Sequence, residues 1–272
     1  MSLSAPDIGR STTASGSAVY ESERAVQEYL QFHYEEPSTT VPYSFAPLDA
    51  LQFLPRTVER CNNISPSTQH DRALDIGCAV GRATFELSKY YDEVMGIDYS
   101  YHFVDAANQM KEKGSMEYEA HIQGDIHELR RVKLPSGVKA HNVKFCQGDA
   151  CNLSPSIGTF DAVLAINLLC RLPEPEKFLR NIGKFINPGG IFVLVSPYSW
   201  LEEYTVKSKW IGGVRDGEGA PVDSFSVIKS VLSEDFSLVG REDYAFIIRE
   251  HERKYQWGVS DGSYWKRKAS LQ

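Results

Sequence analysis

Residues 74–87 read LDIGCAVGRATFEL, and this stretch decides the fold of the chain. It continues the short apolar run RALDIG, which is typical of a buried strand. Two glycines, Gly77 and Gly81, then predict a tight turn at which a ligand can approach the backbone closely. The residues that follow have the apolar spacing of a helix. The stretch therefore predicts a strand–loop–helix unit, and open α/β sheets bind ligands at the carboxyl ends of such strands.

Two further acidic residues stand at the ends of later predicted strands. Asp98 follows Asp75 by 23 residues and closes EVMGIDYS, where a carboxylate accepts hydrogen bonds from the paired hydroxyls of a ribose. Asp149, within Gly148-Asp149-Ala150, closes VKFCQGD, where a side chain contacts an adenine edge. Together the three carboxylates predict a cofactor that contains a nucleoside.

Two classes of cofactor fit these positions. A dinucleotide site requires GxGxxG, whose second glycine makes room for a pyrophosphate, but here Ala79 occupies that position. The loop instead reads acid-x-Gly-x-x-x-Gly and resembles the signature of class I S-adenosylmethionine-dependent methyltransferases. That cofactor has no phosphate, and its amino group is a cation that a carboxylate near Asp75 helps to hold, directly or through water. The predicted cofactor-binding residues are Asp75, Gly77, Cys78, Ala79, Gly81, Asp98, Tyr99, Gly148, Asp149, Ala150 and Asn167.

From residue 72 onward, predicted strands and helices alternate. The predicted strands are 72–77, 93–100, 143–149, 160–169, 191–197, 236–249 and 253–259. The predicted helices are 21–32, 48–61, 82–91, 101–113, 174–186, which ends at the turn signal NPGG, and 225–232. Apolar strands that alternate with helices favour a parallel sheet covered on both faces. The last two strands follow one another without a crossover helix, so we expect them to pair antiparallel.

The expected fold class is α/β: a Rossmann-like, doubly wound, seven-stranded, mostly parallel sheet with an antiparallel last strand and an N-terminal helical extension. Residues 1–18 predict a disordered leader, and they lack the apolar core of a signal peptide. We expect one domain over 19–268, with a lid extension (19–71), a core (72–268) and a tail (269–272). The predicted irregular segments are 33–47, which is extended or a loop, and 114–141, which is charged and helical around 126–132.

Charge and cysteine content restrict the partners. The chain has 272 residues, with 29 Lys and Arg against 36 Asp and Glu, and a formal net charge of −7. This balance argues against nucleic acid binding, which needs concentrated positive charge. No apolar run approaches the ~20 residues of a membrane span. The net negative charge instead favours a small-molecule substrate. Five cysteines without a CxxC pair predict neither disulfides nor a metal site, so we expect a reducing, cytoplasmic compartment.

Seven blocks of sequence are distinctive when taken together. They are EYLQFHYEE (28–36), VPYSFAP (41–47), LDIGCAVGRATFEL (74–87), QGDACNL (147–153), NLLCRLPEP (167–175), SPYSWLEEYT (196–205) and REHERKYQWGVSDGSYWKRK (249–268). These blocks resemble the mercaptohistidine N-methyltransferases of ovothiol biosynthesis. The resemblance implies methyl transfer from S-adenosylmethionine to an imidazole nitrogen of 5-thiohistidine. It also implies a functional link to an iron-dependent sulfoxide synthase.

Methyl transfer needs an acceptor held in line with the methyl group, a cation for the acceptor carboxylate and an anion for its ammonium group. Asn167 ends a predicted strand beside the expected methyl position, with a turn cap as its alternative role. Arg171 is the candidate cation because Arg binds a carboxylate bidentately, with a salt bridge to Glu174 as its alternative. The predicted catalytic residues are Asn167, Glu202 and Glu203. The predicted substrate-binding residues are His33, Tyr34, Tyr43, Arg171, Tyr198 and Trp200.

Each of the remaining candidates has a structural alternative. Tyr198 and Trp200 follow the fifth predicted core strand, where aromatic rings either stack on an imidazole or pack in the core. One of the two glutamates binds an ammonium or a ring N–H, and the other is solvated. His33 lies in a segment that covers the acceptor, but a lone histidine is more often structural. Cys78 has no evident base partner and is expected to fill space rather than act as a nucleophile.

Two other functions remain open from the sequence. One is a class I methyltransferase that acts on another small amine, thiol or hydroxyl. The other is a non-catalytic cofactor-binding module that supports a partner enzyme, although the intact loop and its carboxylates count against it. A strong enzymic base is not required for thiohistidine, because a thiolate on the same ring enriches the attacking nitrogen.

Overall fold

Strands and α-helices alternate along most of residues 18–64 and 70–269, which the computed structural model describes. The strands are β1 (Arg72–Ile76), β2 (Glu93–Asp98), β3 (Ser115–Gln123), β4 (Ile126–Lys133), β5 (Val143–Gln147), β6 (Phe160–Ile166), β7 (Ile186–Ser196), β8 (Val214–Arg215), β9 (Pro221–Val222), β10 (Phe236–His251) and β11 (Lys254–Arg267). The α-helices are α1 (Glu23–Tyr34), α2 (Pro37–Thr40), α3 (Phe53–Ile64), α4 (Arg82–Leu87), α5 (Tyr101–Lys113), α6 (Pro175–Ile182) and α7 (Ser224–Leu232).

A seven-stranded sheet in the order β10–β11–β7–β6–β1–β2–β5 forms the centre of the protein. β1 pairs in parallel with β2 and β6, and parallel pairing continues outward to β5 and β7. β11 pairs antiparallel with β7 and β10. Only residues 252–253 join β10 to β11, and a parallel crossover needs a dozen or more residues. The predicted fold class is confirmed.

The position of the ligand crevice follows from the strand order. After β1 the chain adds β2 and β5 on one side of the sheet, and it then crosses to add β6 and β7 on the other side. The order therefore reverses between β1 and β6. Open α/β sheets bind ligands at such a switch point, outside the carboxyl ends of the strands.

Alternate residues of the central strands pack into two apolar layers. In β1, Ala73 faces the layer that contains residues of α1, α3, α4 and α5. Leu74 and Ile76 face the opposite layer, which contains residues of α6 and α7. Burial on both faces explains why the central strands are almost continuously apolar. Among the described residues, no helix combines the length and apolar character needed to cross a bilayer.

The segment expected to be irregular and partly helical is a β-hairpin, so the helix predicted around 126–132 is wrong. β3 and β4 pair antiparallel. Tyr118 and Ala120 in β3 and Val132 in β4 are buried against the layer that contains α1 and α5. The buried residues of β3 therefore recur with the period of two that is typical of a half-buried strand. The exposed charged residues that lie between the buried ones are compatible with a helix as well as with a strand, so they do not distinguish the two.

Several other boundaries differ from the predictions, and the last strand, predicted to end at 259, continues to Arg267. The predicted helix 174–186 ends at Ile182, and NPGG lies inside β7, where an irregular register against β6 accommodates it. Within 33–47, α1 continues to Tyr34 and the short helix α2 follows. Pro37 occupies the first position of α2, where a missing N–H costs no hydrogen bond. Apart from Ala18, the predicted leader lies outside the described residues.

Candidate cofactor and acceptor site

The loop between β1 and α4 has an unusual backbone. Gly77 and Gly81 have φ angles of +75° and +91°, and Ala79 has a φ of +46° although it carries a side chain. A Cβ at Gly81 would lie 2.6 Å from the Phe145 ring, so only glycine fits at the start of α4. The N–H of Gly77 donates to the carbonyl of Ile97 over 2.8 Å, which fixes the loop to the end of β2.

Asp75 joins β1 to α4. Its carboxyl group is almost fully buried, at 2% exposure, and accepts a hydrogen bond from Thr84 Oγ1 over 2.7 Å. Burial raises the pKa of Asp75 to about 7. Asp75 thus holds the two ends of the loop together. Whether a carboxylate near it also helps to hold an amino group stays a prediction.

Asp98 lies at the end of β2 and faces the loop. Its Oδ2 accepts a hydrogen bond from the N–H of Ala79 over 2.8 Å, and its Oδ1 accepts one from the N–H of Ser100 over 2.9 Å. Burial raises the pKa of Asp98 to about 6. Because each carboxylate oxygen has a second lone pair, Asp98 retains an acceptor on both oxygens for a pair of hydroxyl donors. This donor–acceptor chemistry fits a ribose.

Asp149 begins the 3-10 turn that follows β5. Its Oδ1 accepts a hydrogen bond from the N–H of Cys151 over 2.8 Å, and its Oδ2 accepts one from Asn152 Nδ2 over 2.6 Å. The N–H of Gly148 donates to the carbonyl of Asp98 over 2.9 Å, which brings the two strand ends together. The remaining lone pairs of Asp149 are suited to an amino group such as that of adenine.

A cavity of about 250 Å³ lies over these strand ends. The predicted site residues that line it are His33, Asp75, Gly77, Cys78, Ala79, Asp98, Tyr99, Gly148, Asp149, Ala150, Asn167 and Arg171. Gly81 lies behind the loop and shapes it without lining the cavity. Cys78 is 3% exposed, and burial raises the pKa of its thiol well above the usual value, which agrees with a space-filling role.

Asn167 lies at the cavity wall directly after β6. It has a φ of +53°, which asparagine tolerates better than most residues, and its N–H donates to the carbonyl of Val195 over 2.8 Å. Its side-chain Oδ1 accepts a hydrogen bond from Ser260 Oγ over 2.7 Å. Asn167 is thus held by β7 and by β11 at once.

Arg171 lines the cavity without a carboxylate partner within residues 18–64 and 70–269. Its Nη1 donates to the carbonyl of Ser199 over 2.9 Å, and its guanidinium lies 4.6 Å from the centre of the Tyr204 ring. The alternative salt bridge to Glu174 does not form, because Glu174 pairs with Lys209 instead. A cation held in this way is free to bind an anionic group of a ligand.

The residues predicted after the fifth core strand do not line the cavity, which corrects their assignment to the acceptor site. The chain turns at Tyr198, which has a φ of +50°, and its hydroxyl donates to Asp261 Oδ2 over 2.6 Å. Trp200 is buried and donates from Nε1 to Ser224 Oγ over 3.0 Å, so it packs in the core. The side chains of Glu202 and Glu203 are exposed.

Only one of the three N-terminal candidates lines the cavity. The Tyr34 hydroxyl donates to the carbonyl of Val80 over 2.7 Å, behind the cofactor loop. The Tyr43 hydroxyl donates to the carbonyl of Glu252 over 3.2 Å and the residue packs near Tyr255. These contacts remove both tyrosines from the predicted acceptor site and leave His33.

The structure adds aromatic residues that sequence reasoning missed. They are Tyr20, Tyr29, Phe32, Phe53, Phe103 and Phe246, all of which line the cavity. In α1 the aromatic spacing was visible, but the same spacing is typical of ordinary core packing. No local signal in the sequence connects Phe53 with Phe246.

The N-terminal extension is fixed to the start of α5. Tyr20 lines the cavity and stacks on Tyr204, and its carbonyl accepts a hydrogen bond from Ser100 Oγ over 3.0 Å. Glu21 accepts a hydrogen bond from the N–H of Tyr101 over 3.1 Å, and its carboxylate lies 2.6 Å from His102 Nδ1. The extension therefore covers the cavity next to Asp98.

Comparisons with known proteins agree with this geometry. The model of a family described as "Methyltransferase domain" matches residues 74–194. Norajmaline N-methyltransferase of Rauvolfia serpentina is 27% identical over 171 residues, which are 62% of this chain and 51% of that protein. Sterol 24-C-methyltransferase of Debaryomyces hansenii is 24% identical over 203 residues, which are 72% and 46% of the two chains. The chain thus spans about half the length of the curated relatives that it matches.

Two solved structures show the same fold. The [4+2]-cyclase SpnF superposes with a TM-score of 0.59 at 14% identity and covers 96% of this chain and 98% of its own. Magnesium protoporphyrin IX methyltransferase of Synechocystis with bound S-adenosylmethionine has a TM-score of 0.56 at 14% identity, with 96% and 100% covered. The family match, the strand order and the donor set around the loop lead to one conclusion. The chain has the fold of class I S-adenosylmethionine-dependent methyltransferases, its residues 74–194 are similar to a methyltransferase domain, and the donor set around the loop fits S-adenosylmethionine as the cofactor.

Proposed function

We propose that the protein methylates an imidazole nitrogen of 5-thiohistidine, the reaction implied by its resemblance to the mercaptohistidine N-methyltransferases. One observation carries the proposal furthest. Arg171 presents a guanidinium to the cavity without a carboxylate partner in the described part of the chain, next to Asn167 at the end of β6. An amino-acid acceptor brings the carboxylate that such a cation binds.

The cofactor half of the cavity is formed by the loop after β1 and by two carboxylates. Asp98 would accept the ribose hydroxyls and Asp149 an adenine amino group, through lone pairs that their present hydrogen bonds leave free. When bound, S-adenosylmethionine supplies an electrophilic methyl group on a sulfonium centre. The chain itself then has to hold the acceptor in line with that methyl group and to keep water out.

The acceptor half combines one cation with aromatic walls. Arg171 would bind the acceptor carboxylate, and its position over Tyr204 and under the Ser199 carbonyl restricts the guanidinium to one orientation. The rings of Tyr29 and Phe32 line the same cavity and provide faces on which an imidazole can stack. Fixed groups of this kind lower the entropy cost of reaching the near-attack geometry.

The proposed reaction does not require a strong catalytic base from the protein. Glu202 and Glu203, of which one was predicted to bind an ammonium or a ring N–H, are exposed and do not line the cavity. The thiolate of the acceptor raises the electron density on the attacking nitrogen, so the chain mainly positions the ring. Thiohistidine itself would be made by an iron-dependent sulfoxide synthase, which is the functional partner that we propose, in a reducing cytoplasmic compartment.

A second candidate is methylation of a larger apolar amine. Phe32, Phe53, Leu54, Phe246 and Ile248 line the cavity and make much of its wall apolar. One of the relatives, norajmaline N-methyltransferase, is named for a different acceptor, norajmaline. For such a substrate Arg171 would have no carboxylate to bind, so the two candidates differ in their dependence on this residue.

A panel of acceptors separates the candidates. The purified protein is incubated with S-adenosylmethionine and with 5-thiohistidine, histidine or an apolar secondary amine, and products are identified by mass spectrometry. The proposal predicts that 5-thiohistidine gains one methyl group much faster than the others. Turnover only with the apolar amine supports the second candidate. Cofactor binding without turnover on any acceptor supports a non-catalytic module.

A further inference from the structure

His33 lies on the wall of the cavity, and its buried ring has a nitrogen without a partner among the described residues. The residue is 9% exposed and lines the cavity from α1. Within residues 18–64 and 70–269, its Nδ1 is buried without a hydrogen-bond partner. A buried polar atom of this kind destabilises the folded protein unless a partner is supplied. Because the His33 ring lines the cavity, a ligand that enters the cavity is the natural hydrogen-bond partner for a nitrogen of this ring.

Among the residues that the structure describes, the surroundings of the His33 ring offer it no hydrogen-bond partner. Its neighbours in α1 are rings, with centroid distances of 5.6 Å to Tyr29, 5.3 Å to Phe32 and 6.1 Å to Tyr34. The Tyr34 hydroxyl is already bonded elsewhere. Arg82 donates from Nη1 to the backbone carbonyl of His33 over 2.7 Å, and a guanidinium has no acceptor to offer the ring.

The ring of His33 is neutral in this environment. Burial, together with the positive charge of Arg82, lowers the pKa of His33 to about 3. A neutral imidazole has one N–H donor and one lone-pair acceptor. The ring therefore does not repel a cationic sulfonium group in the same cavity, and one of its nitrogens is free to accept a hydrogen bond.

The chemistry of methyl transfer decides whether His33 should donate a hydrogen bond to the acceptor ring or accept one from it. An azole acceptor carries one N–H and one lone pair, and only the nitrogen with the lone pair attacks a methyl group. If His33 donated to that lone pair, it would block the attack. If it accepts from the azole N–H, it fixes the tautomer and leaves the opposite nitrogen free for the displacement.

We infer that the neutral His33 ring accepts a hydrogen bond from the N–H of an azole acceptor and so selects the nitrogen that is methylated. This inference rests on the proposed function and deepens it, because it names the acceptor feature that the site recognises. His33 contacts the substrate in this role but takes no proton. The C–S bond of the sulfonium breaks with its electron pair on sulfur, the N–C bond forms, and the product releases its proton to solvent after it leaves.

A pair of small probes tests this role without turnover. The protein is saturated with S-adenosylhomocysteine and titrated with imidazole and with N-methylimidazole, which lacks the N–H. We expect the wild-type protein to bind imidazole about 3- to 10-fold more tightly, the value of one neutral hydrogen bond of ~1 kcal/mol. His33→Phe should abolish this preference, and His33→Asn should restore part of it. His141→Phe, the same change at an exposed histidine outside the cavity, should keep it.

Comparing the ligand preference of the wild type with that of each variant cancels the steric effect of the extra methyl group. A preference that persists in His33→Phe, or that is missing from the wild type, overturns the inference. If His33→Phe does not fold, the ring nitrogens of His33 in the wild type are followed by NMR. Their shifts should respond to imidazole and not to N-methylimidazole, and an equal response to both overturns the inference.

The outcome is separable from that of the proposed function. Turnover of 5-thiohistidine without any imidazole preference overturns the role of His33 alone. An imidazole preference that depends on His33, without turnover of 5-thiohistidine, overturns the proposed substrate alone and directs the search to other azoles.

Discussion

The Ser260 hydroxyl donates a hydrogen bond of 2.7 Å to the side-chain oxygen of Asn167. Ser260 lies in β11 and is fully buried, whereas Asn167 lies at the cavity wall after β6. The bond therefore connects the antiparallel part of the sheet to the predicted position of methyl transfer. This bond to Oδ1 orients the amide plane of Asn167, and within the described part of the chain no residue occupies its Nδ2, which can donate to a ligand.

Replacing Ser260 should slow methyl transfer without affecting the cofactor. Ser260→Ala frees the Asn167 amide to rotate, and we expect kcat to fall about 10-fold, because misplacement near the reacting atoms lowers the rate steeply. The dissociation constant of S-adenosylhomocysteine should stay unchanged. Ser263→Ala is the matched control, since Ser263 is buried in the same strand but donates to the carbonyl of Leu194. An equal loss of kcat in both variants would show that the effect is only structural.

Asp98 should control cofactor affinity. Asp98→Asn keeps the shape but loses the charge, and we expect S-adenosylmethionine to bind about 10- to 100-fold more weakly, since a charged acceptor contributes ~1.5–3 kcal/mol. Burial raises the pKa of Asp98 to about 6. Wild-type affinity should therefore decline as the pH falls through about 6, while the variant stays flat. Calorimetry across this range checks both points, with Asp105→Asn on the exposed side of α5 as the control.

Asp75 should make the free protein less stable at neutral pH than in mild acid. Burial raises its pKa from 3.8 to about 7, so between these values the folded state binds the proton more tightly than the unfolded state. The stability of the cofactor-free protein therefore falls as the pH rises through this window. Asp75→Asn keeps an acceptor for Thr84 and should be more stable than the wild type by about 1–3 kcal/mol above pH 7.

Denaturant unfolding of both proteins at a series of pH values measures that difference. It should shrink towards zero near the lower end of the window, where the carboxyl group is protonated in both states. If the difference in unfolding free energy between Asp75→Asn and the wild type does not depend on pH, the buried charge of Asp75 is not what destabilises the protein.

Arg171 should affect the acceptor and not the cofactor. Arg171→Leu removes the cation, and we expect the KM for 5-thiohistidine to rise about 10- to 100-fold with cofactor affinity unchanged. Arg171→Lys should lie between, because lysine keeps the charge without the bidentate geometry. Arg180→Leu is the control, since Arg180 is exposed and pairs with Glu176 within α6. If the KM for 5-thiohistidine is the same in the wild type and in all three variants, Arg171 does not bind the carboxylate of the acceptor.

The cofactor half of the site was predictable because its signals are local. Gly77 and Gly81 have the positive φ angles that the turn between β1 and α4 requires, and Asp98 stands at the end of a strand that the apolar pattern already marks. Parallel strands bring their carboxyl ends to one edge of a sheet, so these residues meet once the strand order is known.

The acceptor half depends on features that no local pattern specifies. Tyr198 lies outside the cavity because the backbone turns there with a positive φ, a conformation that tyrosine rarely adopts. Phe53 and Phe246 belong to elements that meet only through tertiary packing. The sequence of the hairpin strand β4 predicts a helix instead of a strand, because its exposed charged side chains follow no clear period.

The most direct test of the proposed function is the position of the transferred methyl group. The protein is incubated with 5-thiohistidine and S-adenosylmethionine that carries an isotope-labelled methyl group, and the product is examined by NMR. The account predicts one labelled methyl group bonded to a single imidazole nitrogen, because the acceptor is held in one orientation. A methyl group on sulfur, a mixture of both ring nitrogens, or an unmodified acceptor in the presence of bound cofactor would contradict it.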